Sequence, residues 1–176
     1  LRIAFDATTL RPRKSGVGYY TEHLLHHLSR EVKDDEIVLL SNRRVEVSVP
    51  LSPGVRVADR YRMPLRNLWM QTFANRLIRD LKPGVAHFTN SVAPLRKRVP
   101  TVLTIHDMSL ILYPHYHPRR RFWIPAVMSR LSRSVDAIVT DSETMKKDVV
   151  RLLAVDPEKV HVVYCAAAPC FRPIES

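Results

Sequence analysis

Residues 2–21 read RIAFDATTLRPRKSGVGYYT. The apolar run Arg2–Asp6 predicts a short buried strand, and from Val17 onward apolar residues return at helical spacing. The loop between them ends in Ser15-Gly16-Val17-Gly18, directly before the predicted helix. Glycines at such a place allow a ligand to approach the backbone N–H groups of a helix N-terminus. The stretch therefore predicts a strand, loop and helix unit whose loop binds a ligand, with a plain tight turn as the alternative.

The same alternation of strand and helix continues along the chain. Further strands are predicted at Glu36–Ser41, Val45–Val49, Val55–Val57, Val85–Phe88, Thr101–Ile105, Ala137–Thr140 and Val160–Val163. Further helices are predicted at Leu65–Leu81, Arg119–Ser134 and Ser142–Leu153. Strands without polar alternation that are separated by helices indicate a parallel sheet covered on both faces. The predicted fold is α/β, a Rossmann-like three-layer αβα domain with a mainly parallel sheet, spanning residues 1–176 as a single domain.

Composition and charge narrow the function classes. Apolar residues make up 45% and charged residues 26%, as in ordinary globular proteins, so fibrous and disordered classes are excluded. The formal net charge is +11, and it is concentrated: residues 60–135 contain 14 Lys and Arg against two acids. A field of this size attracts nucleic acid, phosphates or an anionic membrane surface. Without an apolar run approaching roughly 18 residues or a secretory signal pattern, a cytoplasmic protein is expected.

Cysteine and histidine spacing gives little support for metal or disulfide chemistry. Two cysteines, Cys165 and Cys170, are too few for a disulfide scaffold or a zinc site, and we expect a buried reduced pair, with a disulfide as the alternative. His23 and His27, four residues apart, lack further ligands in the required arrangement. We therefore expect no metal.

The loops that follow the predicted strands hold the remaining candidate residues, because ligands of open parallel sheets bind beyond the carboxyl ends of the strands. His106 and Asp107 end one strand, Asn90 follows another, and Asp141 precedes a predicted helix for which Ser142 is a plausible N-cap. A histidine at this edge can bind a hydroxyl, exchange a proton or satisfy a neighbouring carbonyl. A nicotinamide site is not expected, since Thr21 replaces the third glycine of the dinucleotide motif.

In sequence order, five pieces of the chain resemble the N-terminal domain of the GT-B glycosyltransferases of family 4. The pieces are RIAFDA with SGVGYYT, VAHFTN, PTVLTIHDMS, DAIVTDSE, and VDPEKVHVVY with FRP. The resemblance implies a retaining enzyme with two domains, of which this chain is the acceptor-side half, one half of a GT-B fold. The C-terminal donor-binding domain is then absent from this chain. One departure is Tyr164-Cys165-Ala166-Ala167, where many relatives have Tyr-Asn-Gly.

The resemblance also implies roles for single residues. Gly16 and Gly18 would contact the donor, His106 would be the catalytic residue that contacts the transferred sugar, and Asn90 and Asp107 would bind the acceptor. The nucleotide-sugar would be a co-substrate, no cofactor or metal would be required, and the acceptor would be a glycan or a lipid-linked glycan. The isolated domain would be inactive.

Two stretches of the basic segment interleave arginines with apolar residues, residues 60–79 and 119–133. A basic amphipathic helix with aromatic side chains can lie on an anionic bilayer, so peripheral contact with the cytoplasmic face of a membrane is one interpretation. The other, which we favour for part of both helices, is that Trp69 and Phe73 enter the core and the arginines are solvated. Two other functions stay open at this point: a basic nucleic-acid-binding domain, which lacks a recognisable motif here, and a non-catalytic domain that binds a small ligand.

Overall fold

The computed structural model describes residues 1–32, 34–58, 60–117, 124–168 and 171. Within these ranges, seven strands form one sheet in which every neighbouring pair is parallel. The strands are β1 (Arg2–Asp6), β2 (Glu36–Leu40), β3 (Val55–Val57), β4 (Val85–Phe88), β5 (Thr101–Thr104), β6 (Ala137–Thr140) and β7 (Val160–Val162). The prediction of an α/β fold with a parallel sheet is confirmed.

The helices follow the strands closely in sequence. They are α1 (Gly16–Glu31), α2 (Arg66–Trp69), a π turn (Met70–Ala74), α3 (Asn75–Leu81), α4 (Ser109–Leu112), α5 (Ile124–Ser134) and α6 (Glu143–Leu153), with 3-10 turns at Pro114–Tyr116 and Pro157–Lys159. Ser142 caps α6 as predicted, since its side chain accepts a hydrogen bond from the backbone N–H of Met145. Residues 119–123, the first part of the helix predicted at Arg119–Ser134, lie outside the described residues.

The order of the strands fixes where a ligand can bind. The sheet runs β3-β2-β1-β4-β5-β6-β7, so the direction in which strands are added reverses between β1 and β4. At such a reversal the loops after the two strands diverge and leave a crevice at the carboxyl edge of the sheet. The loop after β1 leads to Gly16, and the loop after β4 begins with Thr89 and Asn90.

Two clusters of buried apolar side chains hold the helices on the sheet. The larger cluster contains Trp69, Phe88, Leu103 and Ile138, and the smaller one contains Phe5 with neighbours from α1 and β2. Trp69 is fully buried and its indole N–H donates to the backbone oxygen of Tyr61. The expectation that Trp69 enters the core is therefore confirmed.

The predicted strand at Val45–Val49 is wrong. This segment is not part of the sheet, although Val45 and Val47 pack against the smaller cluster. The segment runs beside the loop after β1, where the backbone N–H of Glu46 donates to the oxygen of Leu10. Short valine-rich runs fit either a strand or an extended loop that covers a core, and their periodicity does not separate the two.

Two further expectations need correction. Leu65 starts the predicted apolar stripe of the long helix, but it precedes α2 and is 65% exposed. Cys165 is exposed because the chain after β7 leaves the sheet, so it is not part of a buried pair. Cys170 lies outside the described residues.

A histidine in the sheet makes the stability of the fold depend on pH. His87 on β4 lies edge to face against Phe5, its Nε2 is 2.9 Å from Thr104 Oγ1, and burial lowers its pKa from 6.5 to about 4. The folded state favours the neutral form of His87. The contribution of His87 to the free energy of unfolding is therefore complete above pH 6.5 and is lost as the pH falls towards 4. This linkage is worth about 3 kcal/mol.

We expect the unfolding free energy to fall more steeply between pH 6.5 and 4 in the parent chain than in His87→Gln, by about 3 kcal/mol over that range. Urea unfolding at a series of pH values measures the difference. The matched control is His161→Gln, because His161 is exposed on β7 and its loss should leave the slope of the parent chain unchanged. Identical slopes for the parent chain and His87→Gln would contradict the prediction.

Candidate functional site

The N-terminus of α1 faces the crevice with its backbone groups available. Ser15 occupies the N-cap position in an extended conformation, but its side chain makes no capping hydrogen bond to the described residues. The first turn carries no acidic side chain. A Cβ atom added to Gly16 would meet nothing within 4 Å. This helix end therefore has both the partial positive charge and the open space that an anion needs.

At Gly18, a side chain would be too close to neighbouring atoms of the protein itself. A Cβ atom there would lie 3.0 Å from the backbone oxygen of Thr9 and 3.0 Å from Lys14 Cβ. The close packing of the helix against its own preceding loop explains this glycine without a ligand. Of the two predicted donor contacts, Gly16 is thus the one whose surroundings leave room for another molecule.

A buried ion pair fixes the loop that leads into α1. Lys14 Nζ lies 3.2 Å from Glu22 Oε1 and both side chains are almost fully buried. Lys14 also donates to Ser48 Oγ, and the backbone N–H of Ser48 donates to Glu22 Oε1. These contacts hold the segment around Ser48 against the loop, so the open helix end is part of a rigid arrangement.

His106 is held on both ring nitrogens. Its Nε2 lies 2.9 Å from the backbone oxygen of Thr89, which can only accept, so this nitrogen carries a proton. Its Nδ1 lies 3.3 Å from Asp141 Oδ2, and the two form an ion pair when Nδ1 is protonated as well. The ring of Tyr20 packs edge to face against it at 4.5 Å between centroids. A ligand hydroxyl would have to share or replace one of the two polar contacts.

Two other titratable groups surround this histidine. Burial raises the pKa of the Tyr20 phenol, and the charges of Cys165 and Asp141 add to the effect while a hydrogen bond with Thr104 opposes it. Although Cys165 is exposed, partial desolvation by its neighbours and the carboxylate of Asp141 also raise the pKa of its thiol. Both groups therefore stay protonated near neutral pH, and the Cys165 thiol lacks the depressed pKa of an activated nucleophile.

Asn90 and Asp107 line the same cavity, which has a volume of about 480 Å³. Asp107 is exposed, and its Oδ1 accepts hydrogen bonds from the backbone N–H and the hydroxyl of Ser109, which starts α4. The next residue after Asn90, Ser91, adopts a left-handed conformation with φ of 47°. Non-glycine residues in this region are uncommon and occur often at functional sites. The structure thus brings the two predicted acceptor residues together.

Arg66 lies between the cavity and the buried end of β1. Its guanidinium lines the cavity, donates to Thr8 Oγ1 at 2.9 Å and lies 3.5 Å from Asp6 Oδ2. The Asp6 side chain is fully buried at the end of β1, and its Oδ1 accepts from the backbone N–H of Thr8. Asp6 Oδ2 makes no hydrogen bond with the residues that the structure describes. Arg66 is therefore the counter-charge of a buried carboxylate.

The sequence profile of Glycosyltransferase Family 4 matches residues 14–168. This range includes Gly16, Asn90, His106 and Asp141. The chain belongs to Glycosyltransferase Family 4.

Other relatives agree with membership of family 4. O-antigen chain mannosyltransferase B of Escherichia coli is 23% identical over 197 residues, covering 98% of this chain and 49% of that protein. The structure resembles sucrose-phosphate synthase from Thermosynechococcus elongatus with a TM-score of 0.64, 12% identity, and coverage of 94% and 48%. It also resembles Anabaena HepE in complex with UDP-glucose, with a TM-score of 0.55, 15% identity, and coverage of 93% and 43%. The family 4 chain spans about half the length of these relatives.

The likeness to these solved structures confirms the Rossmann-like fold of the family 4 chain. Across the described ranges, no helix is both long and apolar enough to cross a membrane. Among the same residues, His, Cys, Asp and Glu side chains nowhere gather in the groups of three that could hold a metal ion.

Three residues at this edge of the family 4 domain are not predicted as site residues by the sequence: Asp6, Tyr20 and Arg66. An acid at the end of the first strand is a sequence signal that points to Asp6. In the sequence, Arg66 is one of several arginines of the basic helix, and Asp141 is explained as part of a helix cap. Their partners come from other elements of the chain, so only the fold shows these contacts.

Proposed function

We propose that this chain is the acceptor-side, N-terminal domain of a glycosyltransferase that moves a sugar from a nucleotide-sugar to a glycan or lipid-linked acceptor with retention of configuration. The observation that carries the proposal is the family match over residues 14–168, together with Gly16, His106 and Asn90 at one edge of the sheet. The donor would bind mainly to a C-terminal domain outside this chain. The alternative of nucleic-acid binding has no comparable support.

The proposed chemistry needs positioned charges and no nucleophile from this domain. On a retaining path of this kind, the departing phosphate oxygen takes the proton of the acceptor hydroxyl on the same face of the sugar. The N-terminus of α1 at Gly16 would stabilise the negative charge on the leaving phosphate. His106, fixed by Thr89 and Asp141, would orient the transferred sugar.

The acceptor would occupy the cavity that Asn90 and Asp107 line. Amide and carboxylate groups bind sugar hydroxyls as donors and acceptors. We also propose that the nucleotide-sugar is a co-substrate and that the reaction requires neither cofactor nor metal.

The direct test is sugar transfer by the full-length protein in the presence of EDTA. HepE was crystallised with UDP-glucose and the Escherichia coli relative is named as a mannosyltransferase, so UDP-glucose and GDP-mannose are the first donors to try. We expect transfer from at least one nucleotide-sugar with retention. NMR of the product measures the configuration of its anomeric carbon. Inversion of configuration or a strict requirement for a metal would contradict the corresponding part of the proposal. The 176-residue chain alone should show no turnover.

Substitution at Gly16 separates a donor contact from a folding requirement. Because the added methyl group of Gly16→Ala meets open space, we expect the thermal midpoint to stay within a degree or two or to rise slightly. In the full-length enzyme, the same methyl group would lie between the helix N-terminus and the phosphate, and the donor KM should rise about tenfold. An unchanged donor KM would show that Gly16 does not contact the donor.

The basic segment supports a peripheral membrane role on the cytoplasmic side. Leu65 and Leu68, 65% and 50% exposed, stand at the start of the long helix, with Arg60 and Arg62 exposed just before them. We propose that this surface contacts an anionic membrane. Each basic residue near such a surface contributes about 1 kcal/mol.

We expect the chain to sediment with phosphatidylglycerol vesicles at low ionic strength and to be released by salt. Leu68→Asp should weaken this association, whereas Val57→Asp, on the edge strand β3, is the matched control with little expected effect. Failure to sediment at low ionic strength would rule out the membrane contact.

A further inference from the structure

The cavity beside Asn90 is lined by both polar and apolar side chains. Its polar lining residues are Arg66, Asn67, Gln71, Asn90, Ser91 and Asp107. Its apolar lining residues are Val92, Ala93, Leu95, Leu110, Ile124, Val127, Met128 and Leu131. A volume of about 480 Å³ is in the range of small-ligand sites. A ligand that fills this cavity must itself have a polar part and an apolar part.

The polar lining residues fit hydroxyl groups. The side-chain amides of Asn67 and Asn90 make no hydrogen bond to the residues that the structure describes, so both can donate to and accept from a ligand. The charge of Arg66 is balanced by buried Asp6, and Asp107 is itself an anion. A second negative group would gain little here, whereas a neutral sugar ring would find donors and acceptors without a charge conflict.

The apolar lining reaches the surface at Leu95. Leu95 lines the cavity and is 38% exposed, and its backbone N–H is held by Gln71 Oε1 at 2.9 Å. Leu95 also borders a second, shallow depression with Arg130 and Arg133. Among the described residues, the Arg133 guanidinium donates only to Ser129 on its own helix, so its charge is not balanced by a carboxylate. An apolar chain that leaves the cavity at Leu95 would thus emerge beside unbalanced positive charge.

We infer that the acceptor is an amphipathic glycoside, whose sugar binds at Asn67 and Asn90 and whose lipid-like aglycone lies along the Leu110 and Val127 wall. This inference rests on the proposed function and decides between its two acceptor classes in favour of the lipid-linked one. The basic surface at Arg130 and Arg133 faces the anionic groups at which a lipid chain enters a membrane. A free glycan would leave the apolar wall in contact with water, which is unfavourable.

Binding of simple probes to this chain tests the inference. The probes are n-octyl β-D-glucoside, glucose and 1-octanol, each below the concentration at which it aggregates, and the readout is the methyl NMR signals of the cavity wall. We expect octyl glucoside to bind with saturable shifts at Leu110, Val127 and Met128. Octanol should bind more weakly, and glucose should not bind at the same concentrations.

Two variants and one control make the test specific. Val127→Gln should weaken octyl glucoside binding at least about tenfold, while Val57→Gln, the same change on edge strand β3, should not. Asn90→Ala should remove the advantage of the glucoside over octanol, and thermal unfolding verifies that each variant is folded. Binding of glucose as tight as that of octyl glucoside, or equal binding by Val127→Gln and Val57→Gln, would overturn the inference. Since the assay needs no donor, an inactive full-length enzyme would leave its result standing.

Discussion

His106→Ala in the full-length enzyme is expected to lower kcat about a hundredfold and to change the donor Kd less than threefold. The imidazole is fixed by the Thr89 oxygen and Asp141, so it is prepared before the substrate arrives, and a group of this kind contributes mainly in the transition state. Single-turnover kinetics with the donor that the transfer assay identifies and calorimetric binding of the nucleotide measure the two quantities separately.

His115→Ala is the matched control, because His115 is exposed on the 3-10 turn at Pro114–Tyr116. This variant should keep the kcat of the parent enzyme. Equal activity of His106→Ala and the parent would remove His106 from the mechanism. A large rise in Kd with unchanged kcat would instead assign it to ground-state binding.

The second large effect concerns stability. Arg66→Ala is expected to lower the free energy of unfolding by about 3 kcal/mol, because it leaves the fully buried Asp6 carboxylate without its counter-charge. Asp6→Asn in the same chain should recover at least half of that loss, since the amide at position 6 carries no charge to balance. Urea unfolding of the two single variants and the double variant gives the coupling energy.

Arg79→Ala provides the comparison on the same long helix. Arg79 pairs with the adjacent Asp80 on the surface, and such exposed pairs contribute between zero and about 1 kcal/mol. If Arg66→Ala cost no more than Arg79→Ala, or if the double variant were no more stable than Arg66→Ala, Arg66 would not be the balancing charge of Asp6.

The sheet was predictable because its strands are continuous apolar runs separated by amphipathic segments. Seven of the eight predicted strands are present, and the central ones carry the strong sequence signal that burial on both faces of a parallel sheet leaves, whereas the edge strand β3 is largely exposed. Val45–Val49 carries a similar signal, but it covers the smaller apolar cluster as an extended loop. Local pattern does not distinguish these cases, because the difference lies in which backbone groups the segment can pair with.

The sequence predicted which loops form the candidate site, but it did not predict which side chains contact each other there. The rule that ligands bind at the carboxyl edge directed attention to His106, Asn90 and Asp107, and the last two do share a cavity. The Arg66 and Asp6 pair joins residues 60 positions apart, and the His106 and Asp141 pair joins residues 35 apart. Contacts of this kind depend on the order of strands in the sheet, which composition and periodicity do not specify.

The π turn at Met70–Ala74 separates two parts of one helix that have different tasks. Arg66 and Asn67 before it line the cavity, whereas Leu77 and Ile78 after it are buried in the larger apolar cluster. Successive helical residues are about 100° apart, so the gain or loss of one codon within this turn rotates the first part relative to the second. Because the fully buried Trp69 also lies before the turn, a single-codon insertion or deletion here would rotate Trp69 out of the larger cluster together with Arg66 and Asn67, so the core constrains the length of this turn as much as the cavity does.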